Sequence, residues 1–371
     1  MDVIVGGGVV GLSVAWRLAR EGRPVTLVDP APASGASHAA AGMLAPVSEV
    51  TYTEVPLLRL GVASLRRWPD FAAELAADAG LAGPEALDLR SEGTLDVAFG
   101  ADDLAALDEL AAYLEKLELP VRRLTGRECR RLEPMLAPSV RGGLLAAGDS
   151  WVDPRRVTAA LLAALERRGV QLVRARAGEL LRDGGRVTGV RLEPSGDDDR
   201  RAELRAERVV LAAGAWSAGL AEVPVRPVKG QIMRLRSPQP LLTRCVRGTV
   251  HGTPVYLVPR GDGELVVGAT QEEMGFDTRV TAGGLYELLR DARELVPGVT
   301  ELEVSDVVAG LRPGTPDNLP LIGPSGTPGL ALATGHHRGG VLLSPLTADI
   351  LLGEEGELAA MCSPGRFREI S

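Results

Sequence analysis

The sequence predicts an α/β fold in which a discontinuous Rossmann-like domain is interrupted by an inserted α+β domain built on an antiparallel sheet. Three observations support this prediction. A strand, a glycine turn and a helix open the chain, short apolar runs typical of buried strands return near residues 210 and 330, and the composition is β-rich from about 223 to 308. Pieces of one parallel sheet therefore recur along the chain, with other structure between them.

The opening element reads as a buried strand from Asp2, followed by the turn Gly6-x-Gly8-x-x-Gly11 and a helix. In this pattern Gly6 permits the tight turn, Gly8 lets a pyrophosphate approach the backbone, and Gly11 lets the helix pack on the strand. A second apolar run ends in Asp29, eighteen residues after Gly11, where a carboxylate can meet ribose hydroxyls. The motif predicts a dinucleotide site; a glycine-rich turn without a ligand is the alternative.

In the first half of the chain, helical spacing and strand alternation predict helices at 54–80, 101–117 and 155–168, a strand at 93–99 and a connector at 126–134. Asp153 is a plausible N-cap for the third helix, since Pro154 follows at the first helical position. Residues 30–46 have small side chains, so this segment could lie against a flat ligand or form a flexible loop.

In the second half, a hairpin is expected between Val170–Arg174 and Arg186–Leu192, with an acidic turn at Asp197–Asp199 after it. Further predictions are a buried strand from Arg208, a hairpin of 255–259 with 265–269, a kinked loop at 310–317, a buried strand at 330–334 and a last helix at 341–352. We therefore assign 1–50, 142–222 and 306–371 to the cofactor domain, and 51–141 and 223–305 to the substrate domain.

Composition excludes several classes of protein. The net charge of −8 gives no electrostatic case for binding nucleic acid, and no apolar run is long enough for a membrane span. Three separated cysteines fit neither a disulfide framework nor a metal cluster, and they suit the cytoplasm. Only Lys116 and Lys229 are lysines among 41 basic residues, so a single arginine carries little information without its context.

Seven segments together resemble the D-amino-acid oxidase superfamily of flavoproteins, and most of all its glycine oxidase branch, which serves thiamine thiazole biosynthesis. They are Gly6–Gly11, Ala39–Leu44, Pro227–Gly230, Tyr256–Arg260, Leu265–Thr270, Gly310–Thr315 and Gly335–Leu343. The resemblance implies FAD, a hydride passed from the amino-acid Cα to flavin N5, an imine product and O₂ reduced to H₂O₂. Relatives that bind FAD covalently use a cysteine in the 310–323 or 335–343 region, and this chain has none there. FAD is therefore expected to be non-covalent, and no metal is expected.

The resemblance also implies site residues. Cofactor contacts are expected from Gly6, Gly8, Val9, Val10, Gly11, Asp29, Pro30, Ser37, Ala41, Gly42, Met43, Gly178, Gly214, His336, His337, Arg338, Gly339, Gly340, Val341 and Leu342. Substrate contacts are expected from Arg312, Tyr256, Arg338 and Gln271, where Gln271 replaces a methionine of the glycine oxidase compared. A guanidinium binds a carboxylate by a planar fork, so Arg312, expected on a rigid kink before Pro313, is the leading substrate anchor.

Several alternatives stay open at this point. A sarcosine-type oxidase or a D-amino-acid dehydrogenase of the same superfamily would carry the same motifs, and a flavin-holding structural subunit or a nicotinamide dehydrogenase would share part of them. His336 and His337 fit packing as well as catalysis. The expected partners are a small amino acid and O₂, with a homo-oligomer expected and thiazole synthase as a further candidate.

Overall fold

The computed structural model describes residues 1–194 and 202–370, which leaves the acidic turn predicted at 197–199 outside the described residues. The α-helices in this part of the chain are α1 Val9–Arg20, α2 Gly35–Ala39, α3 Val55–Leu65, α4 Trp68–Ala79, α5 Ala101–Lys116, α6 Gly126–Leu132, α7 Pro154–Arg167, α8 Ala282–Leu295, α9 Ser344–Leu352 and α10 Glu357–Met361. Short 3₁₀ helices are at Pro84–Leu87, Gly214–Gly219, Pro297–Glu301, His337–Gly339 and Pro364–Ile370.

The strands are β1 Asp2–Val5, β2 Val25–Val28, β3 Met43–Leu44, β4 Thr94–Ala98, β5 Arg122–Thr125, β6 Gly142–Ala146, β7 Ser150–Trp151, β8 Gln171–Val173, β9 Ala177–Asp183, β10 Arg186–Leu192, β11 Glu203–Arg205, β12 Arg208–Leu211, β13 Arg226–Arg236, β14 Cys245–Val250, β15 Thr253–Pro259, β16 Glu264–Gly268, β17 Glu303–Gly314, β18 Leu321–Pro324 and β19 Leu330–Thr334.

One six-stranded sheet has the order β18-β19-β12-β1-β2-β8 and is parallel except for β18. Its strands are apolar on both faces. Ile4 packs with α1, α7 and α9, whereas its neighbours Val3 and Val5 pack with the three-stranded sheet β11-β10-β9. Burial on both faces is typical of a parallel sheet between two layers, and it explains why β1, β12 and β19 read as short unbroken apolar runs.

An eight-stranded sheet has the order β17-β13-β16-β15-β14-β4-β6-β5 and is antiparallel except where β4 pairs with β14. Side chains alternate across it: Met233 and Leu257 pack with α8, while Ile232 and Val258 face the other way and pack with Ala41. This second face is turned toward the parallel-sheet layer, and a cavity lies between the two. The predicted mixed α/β fold, with a Rossmann-like sheet and a separate antiparallel sheet, is confirmed.

Some segments pack differently from their predicted assignment. Trp68 and Phe71 of α4 are fully buried in the cluster of α1 and α7, and Phe71 meets the Trp16 ring edge-on with centroids 5.0 Å apart. Segment 55–87 thus packs with the parallel-sheet layer, while β6 and most of β17 join the antiparallel sheet. The amphipathic helices gave no sign of which sheet they would cover. The division into two domains itself stays a prediction.

The hairpin predicted before residue 192 has the expected turn, but its first strand is β9 rather than the predicted Val170–Arg174. Arg186–Leu192 pairs with β9 through Gly184 and Gly185, which both have positive φ, as a two-residue hairpin turn requires. Segment 171–173 instead pairs in parallel with β2 and forms the edge of the six-stranded sheet. An apolar run of three residues fits either sheet, so its partner could not be chosen from pattern alone.

Two further segments differ from their predictions because of specific local contacts. The connector at 126–134 contains α6, which a reciprocal capping box begins: Thr125 N donates to Glu128 Oε2 at 2.8 Å and Glu128 N to Thr125 Oγ1 at 3.3 Å. The kinked loop at 310–317 is instead the end of β17, paired with β13 up to Gly314. Pro313 is tolerated there because β17 is an edge strand.

All three cysteines are buried: Cys129, Cys245 and Cys362. Burial raises the pKa of the Cys129 thiol to about 11 and that of Cys362 to about 12, and it raises the pKa of Cys245 well above its ordinary value. In residues 1–194 and 202–370, no helix is both long and apolar enough to cross a membrane, and no cluster of three or more acidic, histidine or cysteine side chains could hold a metal ion.

Candidate functional site

A cavity of about 730 Å³ lies between the carboxyl ends of the parallel strands and the inner face of the eight-stranded sheet. It brings together most of the residues predicted from sequence, which come from distant parts of the chain. Those in its wall are Gly6, Gly8, Val9, Val10, Asp29, Pro30, Ser37, Ala41, Gly42, Met43, Gly214, Tyr256, Gln271, Arg312, His336, His337, Arg338, Gly340 and Val341. The carboxyl edge of a doubly wound sheet is where such folds bind dinucleotides.

Four predicted residues lie outside the cavity wall. A Cβ on Gly11 would meet Gly6 O at 1.9 Å, so Gly11 serves helix packing. Gly178 lies beside Glu193, and its neighbours Arg176 and Ala177 line the cavity instead. Gly339 packs against Leu343 in the turn below the cavity, and Leu342 is buried in the core, where its carbonyl accepts from Trp68 Nε1 at 3.0 Å.

The glycine turn fits a pyrophosphate because its walls are backbone atoms. Gly6 has φ +111°, and a Cβ on it would meet Ala212 O at 2.3 Å. Helix α1 begins directly behind the turn and has no acidic residue in its first turn, so its positive end repels no anion. The Val9 N–H donates to Ser37 Oγ at 2.9 Å, which holds residues 34–41 over the same turn.

Asp29 closes this end of the cavity at the tip of β2. Its Oδ2 accepts from Gly7 N at 2.6 Å and its Oδ1 from Ala31 N at 2.7 Å. These bonds fix the carboxylate in place and leave each oxygen a free lone pair. A carboxylate held in this way suits the ribose hydroxyls of a dinucleotide.

The opposite end of the cavity is formed by the eight-stranded sheet. Tyr256 of β15 opposes Gly268 of β16, which in turn opposes Ile232 of β13. Gly230, two residues before Ile232 on β13, also faces the cavity. A Cβ on Gly230 would lie within 2.5 Å of the Arg312 guanidinium. The missing side chain lets Arg312 lie flat on the sheet, beside Tyr256.

The Arg312 guanidinium is held by carbonyl oxygens. Its Nη1 donates to Thr270 O at 3.2 Å and Lys229 O at 3.4 Å, and it forms no ion pair with any carboxylate among the residues that the structure describes. Burial raises the pKa of the Tyr256 phenol, although the Arg312 charge and a hydrogen bond with Arg312 act against that. A positioned cation beside a neutral hydroxyl is a carboxylate-binding pair.

Arg338 is less available than Arg312. Its Nη2 donates to Glu54 Oε2 at 2.8 Å and to Glu49 O at 3.1 Å, so an acidic partner already offsets its charge. The helix predicted to begin at Val341 begins at Ser344, and a 3₁₀ turn from His337 to Gly339 precedes it. The backbone amides nearest the cavity therefore belong to this turn rather than to α9.

Both histidines at this turn are neutral at physiological pH. Burial lowers the pKa of His336 to about 3, and its Nε2 forms a hydrogen bond with Thr347 Oγ1 at 2.9 Å. Burial, Arg312 and Arg338 lower the pKa of His337 to about 4. His336 therefore fixes the turn to α9, while His337 contributes an uncharged ring to the cavity wall.

The sequence prediction missed four charged or aromatic residues in the cavity wall: Glu49, Arg176, Trp216 and Arg247. Arg247 directly opposes Tyr256 across β14 and β15, and it lies 3.5 Å from Asp96 of the next strand. Period-two alternation along β14 could have placed Arg247 on the cavity face, but only once its register with Tyr256 was known.

The sequence profile of the family described as FAD dependent oxidoreductase matches residues 3–352. The chain belongs to this family. FAD is accordingly its cofactor, and the chain is an oxidoreductase. The cavity fits that cofactor on its own geometry, since it joins a turn that a Cβ would fill, an anchored carboxylate at the ribose position and a flat wall of small side chains at 39–42.

Three comparisons are more specific. The chain is 35% identical to the glycine oxidase of Geobacillus kaustophilus, over 93% of this chain and 89% of the relative. The crystal structure of that oxidase superposes with a TM-score of 0.88 and covers 98% of both chains. The chain is also 34% identical to the bifunctional protein ThiO/ThiG of Nostoc sp. over 94% of its own length, and it spans about half, 51%, of that relative.

Proposed function

We propose that the protein is an FAD-dependent amino-acid oxidase that deaminates glycine or another small amino acid. The observation that carries the proposal is Arg312, a guanidinium that lies beside Tyr256 in the cavity and has no carboxylate partner among the described residues. The glycine oxidase of G. kaustophilus, which matches nearly the whole chain, supports the same substrate class.

In this proposal Arg312 binds the substrate carboxylate by a two-point contact and Tyr256 donates a hydrogen bond to it. FAD, when bound, would supply the acceptor for the hydride, with its two electrons, that leaves Cα. Holding Cα close to that acceptor accounts for much of the rate, because a fixed approach geometry removes an entropic cost. The neutral His337 ring adds no positive charge that would repel a substrate ammonium group.

The residues beside the substrate anchor bear on which amino acid is preferred. Gln271 lines the cavity close to Thr270, whose carbonyl accepts a hydrogen bond from Arg312, and the family resemblance implies a methionine at this position in the glycine oxidase branch. We propose that glycine and sarcosine react faster than larger D-amino acids. A strong preference for D-alanine or D-proline would instead favour the neighbouring oxidases of the superfamily.

We also propose that the product imine supplies thiamine thiazole synthesis, which the bifunctional ThiO/ThiG relative supports. A physical complex with thiazole synthase, a homo-oligomer and a cytoplasmic location are further parts of the proposal. A D-amino-acid dehydrogenase is the second candidate. It would use an acceptor other than O₂, so peroxide yield in air distinguishes it from an oxidase.

The test is a panel of glycine, sarcosine and D-amino acids with the purified protein. Glycine should bleach the yellow colour without air and yield one peroxide per imine in air. Bleaching without peroxide would favour the dehydrogenase, and no bleaching by any amino acid would contradict the proposal. Acid precipitation should release the yellow colour, since no cysteine lies in segments 310–323 or 335–343. Colour kept in the pellet would contradict non-covalent binding.

A further inference from the structure

Lys229 is one of two lysines in a chain with 41 basic residues, and it is completely buried. It lies on β13 between Val228 and Gly230. Because Gly230 faces the cavity, alternation turns Lys229 to the opposite face of the sheet. There its Nζ lies 3.3 Å from Glu272 Oε2. Removing a lysine ammonium group from water costs free energy, so the burial of Lys229 in this ion pair calls for a structural explanation.

Glu272 accepts hydrogen bonds from polar side chains of neighbouring residues. Its Oε1 accepts from Thr270 Oγ1 at 2.6 Å and from Gln231 Nε2 at 2.7 Å. Burial opposes ionisation, but the hydrogen bonds from Thr270 and Gln231 and the charge of Lys229 hold the pKa of Glu272 below its ordinary value. The carboxylate is thus a charged centre that ties the segment after β16 to β13.

The backbones of the same residues are joined as well. Lys229 N donates to Glu272 O and Glu272 N to Lys229 O, both at 2.9 Å, and Gln231 N donates to Thr270 Oγ1 at 2.8 Å. The two carbonyls that hold the Arg312 guanidinium are those of Lys229 and Thr270. Both therefore belong to residues that the Glu272 carboxylate fixes from the other side of the sheet.

We propose that Lys229 and Glu272 are a positioning pair that sets the guanidinium of Arg312 for a carboxylate ligand. The proposal rests on Arg312 being the substrate anchor in the proposed function. Without the Lys229 charge, the partly buried Glu272 carboxylate has no cation beside it. Segment 270–272 then loses that side-chain tie to β13 and keeps only its backbone and remaining hydrogen bonds. The Arg312 fork then loses its fixed direction, and a displacement of about 1 Å in a positioning group can cost about 100-fold in rate.

The test compares acetate with acetamide as ligands of the FAD-loaded protein, by their perturbation of the flavin absorbance. Acetate carries the negative charge that the Arg312 guanidinium would bind. Acetamide has nearly the same size but no charge. Lys229→Met should weaken acetate binding about tenfold or more and change acetamide binding less than about threefold. KM for glycine should rise in parallel, with kcat at saturation falling much less. Lys116→Met, which removes the other, exposed lysine, is the matched control and should change neither.

Two further variants keep the test decisive. Glu272→Gln should also lower the acetate-to-acetamide affinity ratio, and it gives a second reading if Lys229→Met does not fold. The double variant Lys229→Met with Glu272→Gln should recover part of the acetate affinity, since no unpaired charge remains. A wild-type acetate-to-acetamide ratio in folded Lys229→Met or Glu272→Gln would overturn the positioning role alone. Failure of the wild-type protein to bind acetate would instead overturn Arg312 as the anchor, and the proposed function with it.

Discussion

The two ends of the cavity are formed by different kinds of group: backbone atoms at one end and side chains at the other. At the parallel-sheet end, the wall is mostly backbone: Gly6 and Gly8 expose peptide groups, and the Asp29 side chain is itself fixed by backbone N–H groups. At the antiparallel end, the functional groups are long side chains, Arg312 and Tyr256, that lie flat on a sheet. At the first end Gly6 leaves no room for a side chain, whereas the second end depends on particular side-chain atoms being present.

The largest effect is expected from adding one methyl group at the backbone end. In Gly11→Ala the new Cβ would lie 1.9 Å from Gly6 O, so α1 must move away from the turn. We expect loss of bound FAD and destabilisation of about 3 kcal/mol or more, within the range of severe packing clashes. Flavin content and thermal unfolding measure both effects.

Gly148→Ala is the control for that prediction, because Gly148 is exposed and no atom lies within 4 Å of the position that its new methyl group would take. It should keep its flavin and unfold at nearly the wild-type temperature. If Gly11→Ala behaves like Gly148→Ala, the backbone end is more adaptable than its geometry indicates.

At the side-chain end, Arg312→Ala should lower kcat/KM by about 100-fold or more and leave FAD content unchanged, because the expected pyrophosphate contacts lie at the other end, at 6–11. Arg312→Lys should recover only part of the activity, since an ammonium group cannot form the planar fork. Steady-state kinetics with glycine and the absorbance of the purified proteins provide the measurements. Near-normal activity in Arg312→Ala would move the anchor elsewhere, with Arg338 tested next.

The turn between the two ends gives a pH-dependent prediction. His336 has its pKa lowered by burial to about 3, while the unfolded chain titrates near the ordinary histidine value. The unfolded state therefore binds more protons, so the stabilisation is present above about pH 6.5 and is lost as the pH falls toward 3. By pH 4 the loss from this residue should be about 3 kcal/mol.

His336→Gln removes that titration and keeps a polar group near Thr347, so its free energy of unfolding should fall less between pH 7 and pH 4. Denaturant unfolding at several pH values measures the difference in slope. Equal slopes for wild type and variant would mean that His336 is protonated in the folded protein without penalty.

The smallest effect is expected for the second arginine at the side-chain end. Arg338→Ala should lower kcat/KM by only about tenfold or less, because Glu54 already offsets the charge of Arg338 and such a partly exposed pair contributes little. Glu54→Gln should release Arg338 and strengthen binding of simple carboxylates such as acetate. If Arg338→Ala is as damaging as Arg312→Ala, both arginines hold the substrate and the contrast between them is wrong.

The same difference between the ends explains what the sequence could predict. Gly6, Gly8 and Asp29 follow a local pattern, and the structure places all three in the cavity wall, beside a first helix where one was predicted. Arg312 was predicted from its motif and lies in the cavity wall, but its backbone conformation was predicted wrongly: Gly310 and Pro313 suggested a kinked loop. In the structure Gly310 is in a strand, and it lacks a side chain because Ala39 of α2 packs on it.

Residues without a local pattern were missed or given the wrong partner. Arg247 enters the cavity wall only through its register with Tyr256, and the partner of segment 171–173 is set by the edge of the parallel sheet. Helices α3 and α4 were predicted correctly as helices, but the layer they cover depends on long-range packing. These features depend on pairing between distant segments, and one sequence does not encode a local signal for them.

The burial of the three thiols has a consequence for how long the catalyst survives. Hydrogen peroxide attacks thiolates, and Cys129, Cys245 and Cys362 are all shielded from solvent and held in the protonated form by their raised pKa values. Cys245 packs in the same cluster as Tyr256, close to where the proposed reaction would release peroxide. If the proposed reaction releases peroxide, buried and protonated thiols of this kind are expected to be oxidised more slowly than exposed ones.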